Sequence, residues 1–315
     1  MVGRGFAWAL LLALVAAVAL QGCDTNSTPA FDYDALSLRT VGGRNTLDWR
    51  VWLEKNGKPI SFWHDVVNFA VEITRWQDGK SRSAARSPKP IFHDDKNGKP
   101  RYVESVWPHK LYPFLYGSIP QTWETPNLDH DSTNEPGDND PIDLFDIGQD
   151  IGFTGQVMIL GALAPNDGGE TDWKVLGIDV NDPIADLVDK FDDVEKYRPS
   201  LIHSYHDWFT SYKVARGDNV IPIVGESYVN ATFAAAVEKG HKYWLDLIKG
   251  NVDSNEITYN QTSRPSIPHS YVPLGEATCR LDIPRKSDPS LLPLRPPAST
   301  RARPSTKGPW WRRPI

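Results

Sequence analysis

Three carboxylates lie within six residues in the segment Gly137-Asp138-Asn139-Asp140-Pro141-Ile142-Asp143. Carboxylates held this close together by a proline-containing turn repel one another unless a cation lies among them. The segment offers only oxygen ligands, with no Cys or His pair nearby, so Mg²⁺, Mn²⁺ or Ca²⁺ would suit it better than Zn²⁺. A calcium EF-hand is excluded, because counting from Asp129 or from Asp138 gives neither Gly at the sixth position nor Glu at the twelfth. Taken alone, the segment is equally typical of an acidic surface loop.

A second acidic group favours the metal-site interpretation. Asp167 and Asp172 lie five residues apart around two glycines, and Lys174 follows them. Two carboxylate clusters at neighbouring strand ends can hold several divalent ions close together, where the ions activate a bridging water and neutralise phosphate oxygens. Residues that suit phosphate recur along the chain, although each alone is more typical of a surface charge or a core aromatic; they are Lys80, Arg101, Tyr116, Tyr212 and Lys213. Together the pattern predicts metal-assisted chemistry on a phosphate compound.

Five ordered segments of the chain resemble soluble family I inorganic pyrophosphatases of the eukaryotic type. They are residues 69–76, 116–124, 137–148, 169–174 and 193–197. The resemblance runs from about residue 45 to residue 250. It implies a mainly β fold with α (α+β), built on an OB-like five-stranded β-barrel core with flanking strands and late helices. It also implies hydrolysis of inorganic pyrophosphate to two phosphates, several Mg²⁺ ions with Mn²⁺ as an alternative, and a homodimer.

The resemblance assigns metal-binding roles to four aspartates. Asp138, Asp143 and Asp172 correspond to ligands of the first metal, and Asp143 is shared with the second. Asp167 falls where the family binds further Mg²⁺ that arrives with the substrate. Asp140 corresponds to the base that takes a proton from the water between the metals. An ordinary carboxylate suffices for this step, since two cations lower the pKa of that water.

The remaining site residues implied by the resemblance contact the phosphates or balance charge. Lys80 and Arg101 correspond to catalytic phosphate ligands, and Tyr212 and Lys213 to further phosphate ligands. Tyr116 corresponds to a hydroxyl near the leaving group. The two charge-balancing members of the site are Glu72 and Lys174. Such a site transfers a phosphoryl group to water mainly by positioning and electrostatic stabilisation.

One residue departs from the family pattern at the edge of this site. The family carries Lys-x-Glu after its Arg-Trp pair, and that Glu helps hold a substrate-associated metal, whereas the triplet here is Lys80-Ser81-Arg82. The exchange changes the local charge by two units. We therefore hypothesise reduced activity or an altered Mg²⁺ dependence, which Arg82→Glu would reverse. A catalytically weak or inactive relative that binds metal and phosphate is the alternative function.

Hydrophobic periodicity predicts the elements that must position these residues. Strands are predicted at residues 46–53, 66–76, 155–164 and 173–180, with a type I′ hairpin turn at Asn56-Gly57. Long Pro- and Asp-rich connections between strands favour a small, mainly antiparallel barrel over alternating βαβ units. Helices are predicted late in the chain, at residues 200–213 and at residues 230–249 before Gly250.

Charge is distributed unevenly over the 315 residues, whose formal net charge is −6. Residues 129–195 carry 18 acidic and two basic side chains, whereas residues 280–315 carry nine Lys or Arg and two Asp. The acidic middle excludes the whole chain as a nucleic-acid binder. With two cysteines it is not a disulfide-dense scaffold.

The two ends are predicted to lie outside the enzymatic domain. Residues 1–22 are typical of a secretory signal peptide, because their apolar run is short for a membrane span, and no stable span is expected. A retained anchor and a lipoprotein attached at Cys23 are the alternatives. A flexible segment is predicted at 23–44, the pyrophosphatase domain at 45–250 and a disordered Pro- and Arg-rich tail at 251–315.

Further sequence signals bear on the compartment. Glycosylation sequons begin at Asn26, Asn230 and Asn260, and beside a signal-like start they predict a secreted protein or one of the secretory pathway. Whether Cys23 pairs with Cys279 stays open. The triplet at residues 216–218 could indicate an adhesion protein, but it is better interpreted as the exit turn of the helix that precedes it.

Overall fold

A computed structural model describes residues 32, 34–66, 69–85, 89–104, 111–131, 133–148, 154–155, 157–163, 167–223 and 232–280. The predicted signal peptide, Cys23, the sequons at Asn26 and Asn230, and the basic tail after residue 280 lie outside the described residues. Among the helices that are described, none is long and apolar enough to cross a bilayer.

The chain forms most of its strands before its helices. In the described residues the strands are β1 (Leu36–Val41), β2 (Arg50–Lys55), β3 (Lys58–Ile60), β4 (Phe69–Ile73), β5 (Ser81–Ser83), β6 (Ile91–His93), β7 (Asp95–Lys96), β8 (Lys99–Pro100), β9 (Leu115–Ser118), β10 (Asp143–Asp146), β11 (Thr154–Gly155), β12 (Val157–Leu163) and β13 (Lys174–Asp179). The α-helices are α1 (Phe191–Tyr197), α2 (Leu201–Ser211), α3 (Thr232–Lys249) and α4 (Ala277–Arg280), with 3₁₀ turns at Ala185–Leu187 and Val214–Arg216.

Two sheets form the body of the protein. The larger has six strands in the order β11-β4-β9-β10-β13-β12, in which only the pair β10–β13 is parallel. The other has the path β1-β2-β6-β5 with β3 added to β2, and β7–β8 is a separate hairpin. The mainly β class with late helices is confirmed. A closed five-stranded barrel is not found among the described strands, although β11 and β12, at the two ends of the six-strand path, are separated by residue 156 alone.

Local sequence explains several of these elements. Asn56 and Gly57 both have positive φ and join β2 to β3 with Lys55 opposite Lys58, which is the two-residue hairpin predicted at this turn. Helix α3 ends at Lys249, and Gly250 follows with a φ of 71°, as its position predicted. The turn at residues 216–218 is an exit turn in which Arg216 pairs with Asp218.

An aromatic core fixes α2 against the larger sheet. Phe145 of β10 packs edge to face on Phe209 of α2 with ring centroids 4.3 Å apart, and Phe114 stacks on the same ring. Trp208, one turn of α2 away from Tyr212, stacks flat on that tyrosine at 4.7 Å. The helix therefore places Tyr212 and the residue after it beside the larger sheet.

Both predicted flanks contain ordered structure. Residues 36–41, predicted as flexible, form β1, because their backbone pairs with β2 along its whole length. The prediction of disorder is also wrong for residues 251–280, which we call the strap. The strap has little periodicity, but Ile257, Gln261 and Val272 are buried against the domain. A few separate buried residues hold the strap on the domain, and it has no regular hydrophobic face.

Asp65 is the central anchor of the strap. Its buried carboxylate accepts hydrogen bonds from the backbone of Ser61 at 2.8 Å, Thr262 at 2.6 Å and Ser263 at 3.0 Å. We expect Asp65→Ala to lower the free energy of unfolding by about 2 kcal/mol, because two strap N–H groups lose their acceptor. Urea unfolding measures this value, with the exposed Asp48→Ala as the matched control. Equal stability of the two variants would contradict the anchor.

Candidate active site

All twelve site residues predicted from the sequence line one cleft of about 260 Å³, which we call the central cleft. They are Glu72, Lys80, Arg101, Tyr116, Asp138, Asp140, Asp143, Asp167, Asp172, Lys174, Tyr212 and Lys213. Arg82, the departure from the family pattern, lines the same cleft. The cleft brings together residues that are more than 140 positions apart in the chain (72 to 213).

Strand pairing places the acidic and basic members side by side. Asp143 begins β10 and Lys174 begins β13, and the parallel register sets these two residues opposite each other. On the other side of β10, Asp143 lies opposite Ser118 of β9, two residues after Tyr116. The phenolic hydroxyl of Tyr116 donates to a carboxylate oxygen of Asp143 at 2.8 Å. The start of β10 is thus the centre of the cleft.

The turn before β10 holds Asp138 and Asp140 through its backbone. The amide of Asp140 donates to Oδ1 of Asp138 at 3.0 Å, and its carbonyl accepts from the amide of Glu124 at 2.9 Å. A Cβ at Gly137 would lie 2.4 Å from the Glu124 carbonyl, so only glycine allows this close approach. Asn139, with a φ of 69°, accepts from the indole of Trp123 and donates to the carbonyl of Asn255 in the strap. The turn is therefore clamped from two sides.

Glu124 joins the acidic residues and was missed by the sequence reasoning. Oxygens of Glu124, Asp138 and Asp172 lie within 4.8 Å of one another, a spacing that could hold one metal ion. Burial raises the pKa of each carboxyl, and the charge of Asp172 raises the pKa of Glu124 and of Asp138 further. At Asp172 itself, Lys174 opposes the effect of burial, and the repulsion comes from Asp143 and Asp167. Oε2 of Glu124 is buried without a hydrogen-bond partner, which fits a ligand atom. This all-oxygen set fits a hard divalent cation.

Most of the basic side chains that line the cleft form ion pairs with carboxylates. Lys174 contacts both Asp143 and Asp172, and although burial lowers its pKa, these carboxylates raise it well above the ordinary value. Lys213 contacts Asp167, and the pKa of that carboxyl falls because Lys213 outweighs the opposing effect of burial.

The cations at the other wall come from β5 and the segment after β8. Arg101 contacts Asp94 at 3.0 Å, and Arg82 contacts Asp140. Burial, followed by the neighbouring charge of Arg101, lowers the pKa of Lys80. Lys80 and Arg101 are joined through the backbone, where the amide of Lys80 donates to the Arg101 carbonyl at 3.0 Å. This wall concentrates positive charge across from the acidic turn.

Glu72 lies at the back of the cleft between the two sheets. Its Oε1 accepts from the amide of Ser83 at 2.8 Å, and burial, despite that hydrogen bond, raises its pKa to about 7, with Asp143 adding to the rise. Lining residues that the sequence reasoning did not identify are Ser83, Tyr112, Ser118, Pro141, Glu170, Trp208 and Phe209. Pro141 and Glu170 stand inside the two acidic segments, and the others are serines or aromatic residues whose spacing in the sequence gives no signal of a site.

The arrangement defines a class of enzyme. Carboxylates around the start of β10 can hold divalent cations, while Lys80, Arg101 and the Tyr212-Lys213 pair can bind phosphate oxygens. Divalent ions beside such groups can activate water and neutralise charge on a phosphoryl group. The fold and the central cleft together define a metal-dependent hydrolase that acts on a phosphate compound.

Comparison with known proteins specifies the family. The family model for inorganic pyrophosphatase matches residues 69–245. The inorganic pyrophosphatase of Zygosaccharomyces bailii is 41% identical over 247 residues, which cover 73% of this chain and 86% of that protein. The structure of inorganic pyrophosphatase from Schistosoma japonicum is similar with a TM-score of 0.69 and 37% identity, covering 74% of this chain and 88% of that chain. The vacuolar soluble pyrophosphatase of Trypanosoma cruzi, without its N-terminal domain and in complex with PPi, gives a TM-score of 0.63 and 31% identity, covering 68% and 91%.

The chain belongs to the inorganic pyrophosphatase family. It is an inorganic diphosphatase, which hydrolyses pyrophosphate to two phosphates. Its acidic cluster fits the divalent metals of this family.

Proposed function

We propose that the enzyme works with Mg²⁺, that Asp140 is its general base, and that the other cleft residues divide into metal and phosphate ligands. The observation that carries the proposal is the position of Asp140. Its carboxylate stands between Asp138 and Asp143 in the chain and faces the guanidinium of Arg82 across the cleft. A base in this place can take a proton from a water held at the acidic wall while the cationic wall holds the substrate.

The metal ligands follow from the donor set. Glu124, Asp138 and Asp172 form the closest group of oxygens, so we assign one ion to them, with Asp143 shared with a second ion. Asp167, which lies further round the cleft against Lys213, is assigned to ions that enter with the substrate. Bound divalent ions lower the pKa of their water and neutralise the substrate's charge.

One of the proposed phosphate ligands is paired with a carboxylate that is assigned to metal. Lys174 and Lys213 are held by carboxylates that are themselves assigned to metals. With Asp167 holding a metal ion, Lys213 would be free to donate to phosphate beside Tyr212, and Lys80 and Arg101 would bind from the opposite wall. Lys174 stays to balance charge with Glu72, and Tyr116 donates its hydroxyl near the leaving phosphate.

A phosphate-release assay tests the proposal and separates it from an inactive relative. Full-length protein, and protein that starts at residue 23, are incubated with pyrophosphate in Mg²⁺, in Mn²⁺ and in EDTA. We expect turnover with Mg²⁺, a lower rate with Mn²⁺ and none in EDTA. Absence of phosphate release under every metal condition, with pyrophosphate still bound, would indicate the metal- and phosphate-binding relative instead.

We also propose that the enzyme is a homodimer, as the resemblance implies. Trp76 is 65% exposed and Tyr102 41% exposed, and their segments are joined where the amide of Val103 donates to the carbonyl of Asp78 at 2.7 Å. Exposed aromatic side chains on two joined segments are typical of an interface. Sedimentation should give a dimer for the natural protein and a monomer for Trp76→Ser. A dimer that persists unchanged would exclude this surface.

A location in the secretory pathway remains part of the proposal. It is supported by the signal-like residues 1–22 and by the sequons, of which Asn260 lies in the strap and is partly exposed. Expression in eukaryotic cells should give a product whose apparent mass on a gel decreases after glycosidase treatment. A product of unchanged mobility that stays in the cytosol would contradict the location.

A further inference from the structure

The ion pair between Arg82 and Asp140 gives the departing residue a specific contact. Arg82 lies in β5, and its Nη2 contacts Oδ2 of Asp140 across the mouth of the cleft. Asp140 raises the pKa of Arg82, with Asp94, Glu72 and Tyr116 adding to the rise against the effect of burial. The guanidinium is charged in any case, because arginine does not lose its proton in proteins.

This pair is the most open of those that join a cation and a carboxylate in the described part of the cleft. The Arg82 side chain is 36% exposed and that of Asp140 is 29% exposed. Arg101 is 24% exposed against Asp94, while Lys174 and Lys213 are close to 10% exposed. An open ion pair is weak, since water screens the attraction and both side chains lose freedom in making it.

A phosphate group competes well for such a guanidinium. Arginine binds phosphate with two parallel hydrogen bonds, and a pyrophosphate anion carries more charge than one carboxylate. Lys80 and Arg101 line the same wall, so a phosphate drawn to them lies within the field of Arg82.

We propose that Arg82 is a pyrophosphate-binding residue, which Asp140 holds in the free enzyme and releases to the phosphate when the substrate enters. The proposal rests on the function proposed above. Breaking the Arg82–Asp140 ion pair would have two consequences. The guanidinium of Arg82 would bind the substrate even when no metal is present, and the carboxylate of Asp140 would be free to act as the base. Arg82 then supplies one positive charge from the protein itself at the lip of the cleft.

This role changes the expectation drawn from the charge count alone. If Arg82 only repelled metal, Arg82→Glu would increase the turnover rate or lower the Mg²⁺ concentration that the enzyme requires. If Arg82 binds the substrate, Arg82→Glu would raise KM and increase the Mg²⁺ concentration needed for the half-maximal rate. Arg82→Glu therefore distinguishes the two roles by the direction of the change.

The decisive measurement is the affinity for pyrophosphate in EDTA, by isothermal titration calorimetry, where no metal contributes. We expect Arg82→Gln to weaken this affinity by roughly tenfold or more, the effect of losing hydrogen bonds to a charged group. Asp140→Asn should strengthen it, because Arg82 is no longer held. Lys99→Gln, which removes the same charge from the exposed β7–β8 hairpin, is the control and should leave the affinity unchanged.

The double variant Arg82→Gln/Asp140→Asn completes the cycle. If Asp140 competes with pyrophosphate for Arg82, the gain from Asp140→Asn is smaller in the Arg82→Gln background than in the natural one. An equal gain in both backgrounds, or an affinity of Arg82→Gln equal to that of Lys99→Gln, would overturn the proposal. Such results with turnover intact would leave the proposed function standing, whereas loss of all turnover in the natural protein would contradict that function instead.

Discussion

Asp140→Asn protein should hydrolyse pyrophosphate roughly 10²- to 10⁴-fold more slowly than the natural protein while it still binds divalent metal. The amide of asparagine cannot take a proton from water at neutral pH, so the step assigned to Asp140 loses its acceptor. The change is nearly isosteric. Because the turn is held by the amide and carbonyl of residue 140, which contact Asp138 and Glu124, its conformation should survive.

The measurement needs rate and metal binding on the same preparations. Initial rates of phosphate release give kcat, and calorimetric titration with Mg²⁺ gives the metal affinity. Asp95→Asn, an exposed aspartate of β7, is the matched control and should keep the natural rate. If Asp140→Asn kept most of its kcat, the base would have to be another group. If it lost metal binding as well, Asp140 would be a metal ligand.

Asp138→Asn should stabilise the metal-free protein and weaken its binding of Mg²⁺. Without metal, the carboxylates of Glu124, Asp138 and Asp172 face one another. Burial raises the pKa of each, the charge of Asp138 adds to the rise at Glu124, and the charge of Asp172 adds to the rise at Asp138. Removing one charge relieves the repulsion, so the unfolding midpoint in EDTA should rise. The same change removes a ligand, so Mg²⁺ affinity should fall by tenfold or more, of the order seen when a metal's immediate environment is altered.

The pH dependence gives an independent check with a defined sign. A carboxyl whose pKa is higher in the folded than in the unfolded state releases its proton first from the unfolded chain. Stability in EDTA therefore decreases as the pH rises from the ordinary carboxylate pKa through the raised one. Asp138→Asn should make this decrease shallower. A lower midpoint in EDTA, or an unchanged Mg²⁺ affinity, would show that Asp138 is not part of a repelling metal-binding group. Asp129→Asn, outside the cleft, serves as the control.

The sequence was sufficient to predict the members of the cleft whose chemistry is concentrated in short segments. Asp138, Asp140 and Asp143 stand together in one turn, and Asp167 and Asp172 stand together before β13. Fold class and late helices followed from periodicity, and the Asn56-Gly57 turn followed from two residue types that tolerate the positive φ angles it shows. In each case the signal was local.

The features that were missed depend on contacts between distant segments. Glu124 stands in a stretch without other acidic residues, and it enters the site only because its backbone pairs with that of Asn139 and Asp140. The strap has too few apolar residues for a periodic face, and its order comes from Asp65, far away in the chain. Arg82 was recognised as unusual, but its contact with Asp140 joins β5 to the turn before β10, which are 58 positions apart in the chain.

The side chain of Asn139 donates a hydrogen bond to the carbonyl of Asn255 in the strap. The segment that contains the reactive groups and the segment needed to hold them in position therefore end at different residues. The family match stops at residue 245, and the cleft residues stop at Lys213, yet the turn that carries Asp140 is clamped by residue 255. The smallest fragment with every reactive group is therefore shorter than the smallest fragment able to hold them in place. Substitutions in the strap can in this way tune the rate of an enzyme whose reacting groups all stay the same.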